Sequence, residues 1–263
     1  MMLSTRLGEV GLDEVGSGVP ILLLHGFPHD RSLWSAQLAA PIEGARLIAV
    51  DLPGFGESES ASVPSLDAWA DWTIALLDAL EIKRAIIGGL SMGGYLAFAI
   101  WRRHPERVQG LILADTKAGA DSDEARLKRV AMQGTALASG PGAIAEAMLP
   151  GMTGRTTRES NPEAVATLDA MMRRASVGAI HDALDALRNR PDSTPTLATI
   201  TVPTLILCGD EDALTPVAES MAMAAAIPDS QLALIPGAGH ASCVEDPAAF
   251  SALLSGFIRA RFL

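Results

Sequence analysis

Apolar residues follow two alternating rhythms along this chain. Short unbroken runs recur at Pro20–Leu24 (PILLL), Arg46–Val50 (RLIAV), Arg84–Gly88 (RAIIG), Val108–Ala114 (VQGLILA), Thr204–Leu207 (TLIL) and Leu232–Ile235 (LALI). Runs of this length, stopped by Gly, Pro or charge, predict strands buried on both faces. Between them, at Leu66–Leu80, Gly93–Arg103, Val217–Ala226 and Pro247–Phe262, apolar residues recur three and four apart, which predicts helices with one buried side. Strands that alternate with helices predict βα units. The fold class is therefore α/β, with a mostly parallel sheet flanked by helices, because parallel neighbours need crossover connections.

From about Gly119 to Thr199 the strand rhythm stops, and helical patterns such as Glu124–Leu137 and Asn161–Ala175 take its place. This predicts a core domain of residues 1–118 and 200–263 interrupted by a helical insertion, 119–199. The insertion holds five of the ten methionines, Met132, Met148, Met152, Met171 and Met172. Methionine adapts its shape to irregular apolar walls, so these residues suit either a pocket lining or ordinary packing between helices. No internal repeat or low-complexity linker is present.

Composition narrows the function classes. An apolar fraction of 49% and a mean hydropathy of +0.26 over 263 residues allow a substantial core. A formal charge of −11, with a pI near 4.9 and no cluster of Lys and Arg, disfavours nucleic acid and anionic membrane surfaces as partners. The start, Met1 to Arg6, lacks a basic segment followed by an apolar run, and no apolar stretch approaches the roughly 18 residues of a membrane span. A cytoplasmic protein is expected. The two cysteines, Cys208 and Cys243, form neither a disulfide framework nor a zinc-ligand pattern, and free thiols are expected.

The sharpest chemical signal is Gly89-Leu90-Ser91-Met92-Gly93, between a predicted strand and a predicted helix. A serine placed there sits in a tight turn that needs small neighbours, and its hydroxyl is pushed out above the sheet. The following helix N-terminus directs free N–H groups and partial positive charge to the same place. A serine hydroxyl needs a base to act as a nucleophile at neutral pH. Of the five histidines, His240 is the candidate, because Pro236-Gly237-Ala238-Gly239-His240 follows the last predicted strand, and catalytic groups in such sheets gather at the C-terminal ends of strands. His104 and His181 read as structural or solvated.

The second imidazole nitrogen needs an acceptor that fixes the tautomer and stabilises the cation. Asp212, in the loop after Thr204–Leu207, is the choice, with Asp210, Glu211 and Asp115 as alternatives; Asp210 and Glu211 otherwise read as solvated loop charges. An oxyanion formed during acyl transfer needs two N–H donors already in place. The main chain of Met92 supplies one and that of Phe27, in His25-Gly26-Phe27-Pro28, the other, since Pro28 has no N–H. His25 reads as a structural hydrogen-bonding residue.

With these residues in place the sequence resembles the α/β-hydrolase fold superfamily. Asp51-Leu52-Pro53-Gly54-Phe55-Gly56-Glu57-Ser58 resembles the DxPGxGxS turn of that superfamily, and Pro105-Glu106-Arg107-Val108 resembles its lead into the sixth strand. The resemblance implies an eight-stranded sheet with a helical cap inserted after the sixth strand. Gly88 to Tyr95 and Leu113-Ala114-Asp115-Thr116 are similar to small bacterial serine carboxylesterases and 3-oxoadipate enol-lactonases. This implies a carboxylic ester hydrolase acting on a small-molecule ester or lactone, with no cofactor and no metal. Alternatives are perhydrolase or haloperoxidase-like activity, carbon–carbon bond hydrolysis, and a non-catalytic ligand-binding protein on the same scaffold. Haloalkane dehalogenases carry an aspartate where this chain has Ser91, which argues against that chemistry.

Overall fold

The computed structural model describes residues 1–6 and 8–263. Eight strands form one sheet: β1 (Met2–Thr5), β2 (Gly8–Gly16), β3 (Val19–Leu24), β4 (Ala45–Val50), β5 (Ala85–Leu90), β6 (Val108–Ala114), β7 (Thr204–Gly209) and β8 (Ser230–Ile235). Their order across the sheet is β1-β2-β4-β3-β5-β6-β7-β8. The β1–β2 and β2–β4 pairs are antiparallel, and every later pair is parallel. The parallel strands stand where the apolar runs predict them.

Helices cover both faces: α1 (Ser35–Ala39), α2 (Leu66–Ala79), α3 (Met92–Arg103), α4 (Asp123–Met152), α5 (Arg155–Ser160), α6 (Pro162–Arg174), α7 (Val177–Arg188), α8 (Val217–Ala226), α9 (Ser242–Glu245) and α10 (Pro247–Phe262). Successive strand residues serve opposite faces. Leu22 and Leu24 face the core built by Trp69 and Phe98 of α2 and α3, whereas Ile21 and Leu23 face Phe250 and Phe257 of α10 together with Trp34. Each such buried side chain contributes about 1.5–3 kcal/mol. This explains why these strands read as continuous apolar runs.

Four helices, α4 to α7, fill the chain between β6 and β7. Their starts are written in the sequence: Ser122, Asn161 and Ser176 each accept an N–H from the residue three positions on, at 3.2, 3.1 and 3.0 Å. The long α4 is broken at Gly140, whose φ of 76° leaves the helical region ahead of Pro141. Among the described residues, no helix is long and apolar enough to cross a membrane.

Sheet order also decides where chemistry gathers. The chain runs outward from β3 to β4, then returns to place β5 on the other side of β3, so loops diverge at the C-terminal ends of β3 and β5. Leu24 pairs with Gly89, Leu90 with Ala114, and Ala114 with Leu207. These registers set the loops after β3, β5, β6 and β7 side by side.

Candidate active site

Ser91 occupies the single residue between β5 and α3, with φ 52° and ψ −110°. A non-glycine residue at such a φ is strained, and only a surrounding that over-determines it holds it there. That surrounding is present. The Ser91 N–H donates to the Ala114 carbonyl at 2.9 Å, and the Ser91 carbonyl accepts the Thr116 hydroxyl at 2.9 Å and the Tyr95 N–H at 3.1 Å. A Cβ at Gly89 would strike the backbone of Gly93, and one at Gly93 would strike the Leu24 carbonyl.

His240 lies in the turn between β8 and α9. Its Nε2 is 2.8 Å from Ser91 Oγ, and its Nδ1 is 2.9 Å from Asp212 Oδ2. Asp212, in the turn after β7, accepts N–H groups from Leu214 and Thr215 at 2.8 and 2.9 Å and the Thr215 hydroxyl at 2.6 Å. Burial alone would raise the Asp212 pKa, but the charge and hydrogen bond of His240 and the Thr215 donors hold it below the ordinary carboxylate value. Burial would likewise lower the pKa of His240, yet Asp212, with Asp115 and Glu245 behind it, raises it above the usual imidazole value. The geometry thus joins the three sequence candidates into one line, Asp212–His240–Ser91.

Met92 opens α3, where N–H groups have no intrahelical partner. Phe27 lies three residues beyond β3, next to β5 in the sheet, and lines the same cavity as Ser91 and His240. That cavity, about 440 Å³, runs from Ser91 under the helical segment, and Met132, Met148 and Met152 lie in its wall. Met171 lines a separate polar cleft, and Met172 is buried beside Ala145 and Met152. The five methionines of α4 and α6 therefore divide between pocket lining and packing.

The other candidates have different employment. His25 donates from Nδ1 to the Gly26 carbonyl at 2.8 Å and accepts the Leu52 N–H on Nε2 at 3.0 Å, so it ties the Phe27 loop to the turn after β4. His104 contacts Asp71 and His181 contacts Asp182, both at the surface. Asp210 and Glu211 are not free loop charges: Asp210 accepts the Gly237 N–H at 2.7 Å, and Glu211 accepts the Thr156 N–H at 2.7 Å and its hydroxyl at 2.8 Å.

Asp115 lies behind the line rather than in it. It accepts the Gly209 N–H at 2.9 Å, the Ser242 N–H at 3.1 Å and the Ser242 hydroxyl at 2.6 Å, thereby fixing the start of the loop that carries Asp212 and the end of the loop that carries His240. Complete burial, with the Asp212 charge adding to it, pushes its pKa up to about 7.

Ligand atoms of Asp115, Cys208 and Asp212 lie within 4.8 Å of one another. The donor set does not suit a metal, because burial pushes the Cys208 thiol up to about 12 and both carboxylates are already occupied by protein donors.

Sequence reasoning missed Thr116, Thr215 and Glu245. Buried Glu245 accepts N–H groups from Gly154, Gly239 and Ala241 at 2.7, 2.9 and 3.0 Å, while the His240 N–H donates to the Met152 carbonyl at 3.0 Å. The end of α4 and the histidine loop are thereby fastened together. Thr215, three residues after Asp212, had a local signal in the turn; Glu245 had none.

A family profile described as alpha/beta hydrolase fold matches residues 19–247. The chain belongs to this family. Among solved α/β hydrolases, a thermophilic esterase from Thermogutta terrifontis with malate bound is 38% identical to it. The alignment covers 100% of this chain and 99% of that one, with a TM-score of 0.95. A 3-oxoadipate enol-lactonase 2 from Acinetobacter baylyi is 32% identical over 84% of this chain and 81% of its own. A 2-hydroxymuconate semialdehyde hydrolase from Pseudomonas sp. is 28% identical over 95% of this chain and 90% of its own.

Proposed function

We propose that this α/β hydrolase cleaves carboxylic esters or lactones of modest size through an acyl-enzyme intermediate. The observation that carries this reading is the Asp212–His240–Ser91 line, with contacts of 2.9 and 2.8 Å, opening on a cavity whose wall is mainly apolar. Ser91 Oγ attacks the carbonyl carbon while His240 Nε2 takes its proton, and Asp212 holds the imidazole in the tautomer that presents Nε2 as acceptor. The N–H groups of Met92 and Phe27 receive the charge that develops on the carbonyl oxygen. His240 then returns its proton to the leaving alcohol. Water, deprotonated by His240, attacks the acyl carbon and releases the acid and Ser91. In this reading residues 119–199 cap the core formed by 1–118 and 200–263, and the protein works in the cytoplasm.

The test is hydrolysis of p-nitrophenyl acetate and butyrate by the wild type and Ser91→Ala, with intact mass measured after a fluorophosphonate probe. Turnover with one adduct that Ser91→Ala lacks is expected. A wild type that neither turns over nor labels overturns the reading.

A second reading, hydrolysis of a carbon–carbon bond, has the likeness to the Pseudomonas semialdehyde hydrolase in its favour. Faster turnover of a vinylogous diketone than of aryl esters would move it to the front.

A further inference from the structure

The charges that line the catalytic cavity run against the charge of the whole protein. Lys117, Lys128 and Arg129 face it with Asp121 as their one carboxylate among the described lining residues, in a chain of net charge −11. Asp121 is also shared. It receives Arg129 Nε at 2.8 Å and Arg190 Nη1 at 2.7 Å, and the Arg190 guanidinium lies 4.2 Å from the centre of the Tyr95 ring, on the cavity wall. Two guanidinium groups therefore share one buried carboxylate. Lys128 is exposed and pairs with Glu124 at 2.8 Å.

Lys117 differs from all of these. It is half-buried and lines the cavity, yet it makes no hydrogen bond or ion pair with any described residue. It directly follows Thr116, whose hydroxyl holds the Ser91 carbonyl at 2.9 Å, so its stem begins beside the nucleophile turn. The Tyr95 hydroxyl, in the same wall, likewise makes no hydrogen bond with any described residue. A cation in a cavity wall with no protein counter-charge is available to a bound anion.

We propose that Lys117 and the Tyr95 hydroxyl form a carboxylate subsite. The preferred substrates are then esters or lactones that bear a second, ionised carboxyl group, held here while Ser91 attacks the ester carbonyl. One free cation matches a single negative charge. Around it, Phe27, Met132, Met148, Leu187 and Leu214 suit a short hydrocarbon spacer between the two ends. The proposal rests on the ester-hydrolase reading given above.

Two probe pairs test it at low ionic strength: p-nitrophenyl hydrogen adipate against its methyl ester, and 4-acetoxybenzoate against its methyl ester. They put the carboxylate on the acyl side and on the leaving-group side respectively. In at least one pair, the ratio of kcat/KM for the anionic ester to that for the neutral ester should fall about tenfold in Lys117→Met, the size of one charge-assisted hydrogen bond, and recover in Lys117→Arg. A fall smaller than about threefold in both pairs overturns the subsite and leaves the hydrolase reading standing. If the wild type cleaves none of the four esters, the hydrolase reading falls and calorimetric titration with adipate decides the subsite. Binding that weakens in Lys117→Met keeps it; no binding, or equal binding by the variant, overturns it.

Discussion

At Gly93, in the turn that carries Ser91, an added Cβ would run into the Leu24 carbonyl, whereas at Gly134, in the first half of α4, it would meet nothing within 4 Å. The same contrast extends to the regions around them. Along the C-terminal edge of the sheet, Ser91, Asp212, Asp115 and Glu245 are each held by several hydrogen bonds from different loops. On α4, Leu127 and Leu137 stand 70% and 67% exposed, so the helix presents apolar surface that no described residue covers. Reaction geometry tolerates errors of only fractions of an ångström, whereas an apolar pocket wall does its work with far looser placement. The edge of the sheet is built to the first standard and the helical segment to the second.

Substitutions should separate the two standards, beginning with the largest effect. Ser91→Ala should lower kcat for p-nitrophenyl butyrate about 10⁶-fold and Asp212→Asn about 10⁴-fold, both with melting temperatures near that of the wild type. A loss below about 10²-fold in either would break the assignment of chemistry to the sheet edge. Gly93→Ala should cost about 3 kcal/mol or more, read as a melting temperature lower by roughly 6–12 °C or as failure to fold. An unchanged melting temperature would show that the turn has room it is not credited with.

Titration probes the edge more gently. In the proposed mechanism His240 is the base, a role only the neutral imidazole can fill, and its pKa is raised above 6.5, so kcat/KM should rise with pH along a limb centred above that value. Asp115→Asn removes one of the negative charges that hold this pKa up, and the limb should move to lower pH. The same variant should change how stability depends on pH. The carboxyl of Asp115 has its pKa raised from 3.8 to about 7, so the folded state binds that proton more tightly than the unfolded chain. The resulting stabilisation is complete below about pH 4 and fades as pH rises to about 7. Melting curves of Asp115→Asn should lack this decline; a parallel decline in both proteins would refute the account.

The smallest effect lies on the permissive side. Gly134→Ala fills open space inside a helix, which should stabilise by about 0.5–1 kcal/mol and raise the melting temperature by roughly 1–4 °C with kcat unchanged. Destabilisation there would erase the contrast.

Legibility in the sequence follows the same physics. Five of the six parallel strands are buried on both faces, and β8, at the sheet edge and half-exposed rather than buried on both faces, still carries the apolar run LALI, so all six could be read directly; β1 alternates exposed and half-buried residues and β2 mixes Gly, Asp and Glu, so neither stands out as an apolar run. The polar α5 has no apolar stripe to announce it. In α7, Ile180, Leu184 and Leu187 do recur four and three apart, so that helix was present in the pattern though not drawn from it. Ser91, Asp212 and His240 were legible because each sits in a short motif at a strand end. Asp115 was visible only as an alternative acid, because its partners, Gly209 and Ser242, lie about 90 and 130 residues away. Contacts of that range leave no local pattern.

Glu245 bears on how such a protein can be re-engineered. Its carboxylate takes the N–H of Gly154, between α4 and α5, together with those of Gly239 and Ala241, on either side of His240. The α4–α7 segment is thus not an interchangeable module that can be cut from one relative and grafted onto another at will. A transplanted segment without an equivalent of Gly154 and of the Met152 carbonyl would leave a buried carboxylate and the His240 N–H short of partners. The helical wall of the cavity and the placement of His240 are mechanically linked at that joint, and exchange of one would have to carry the other with it.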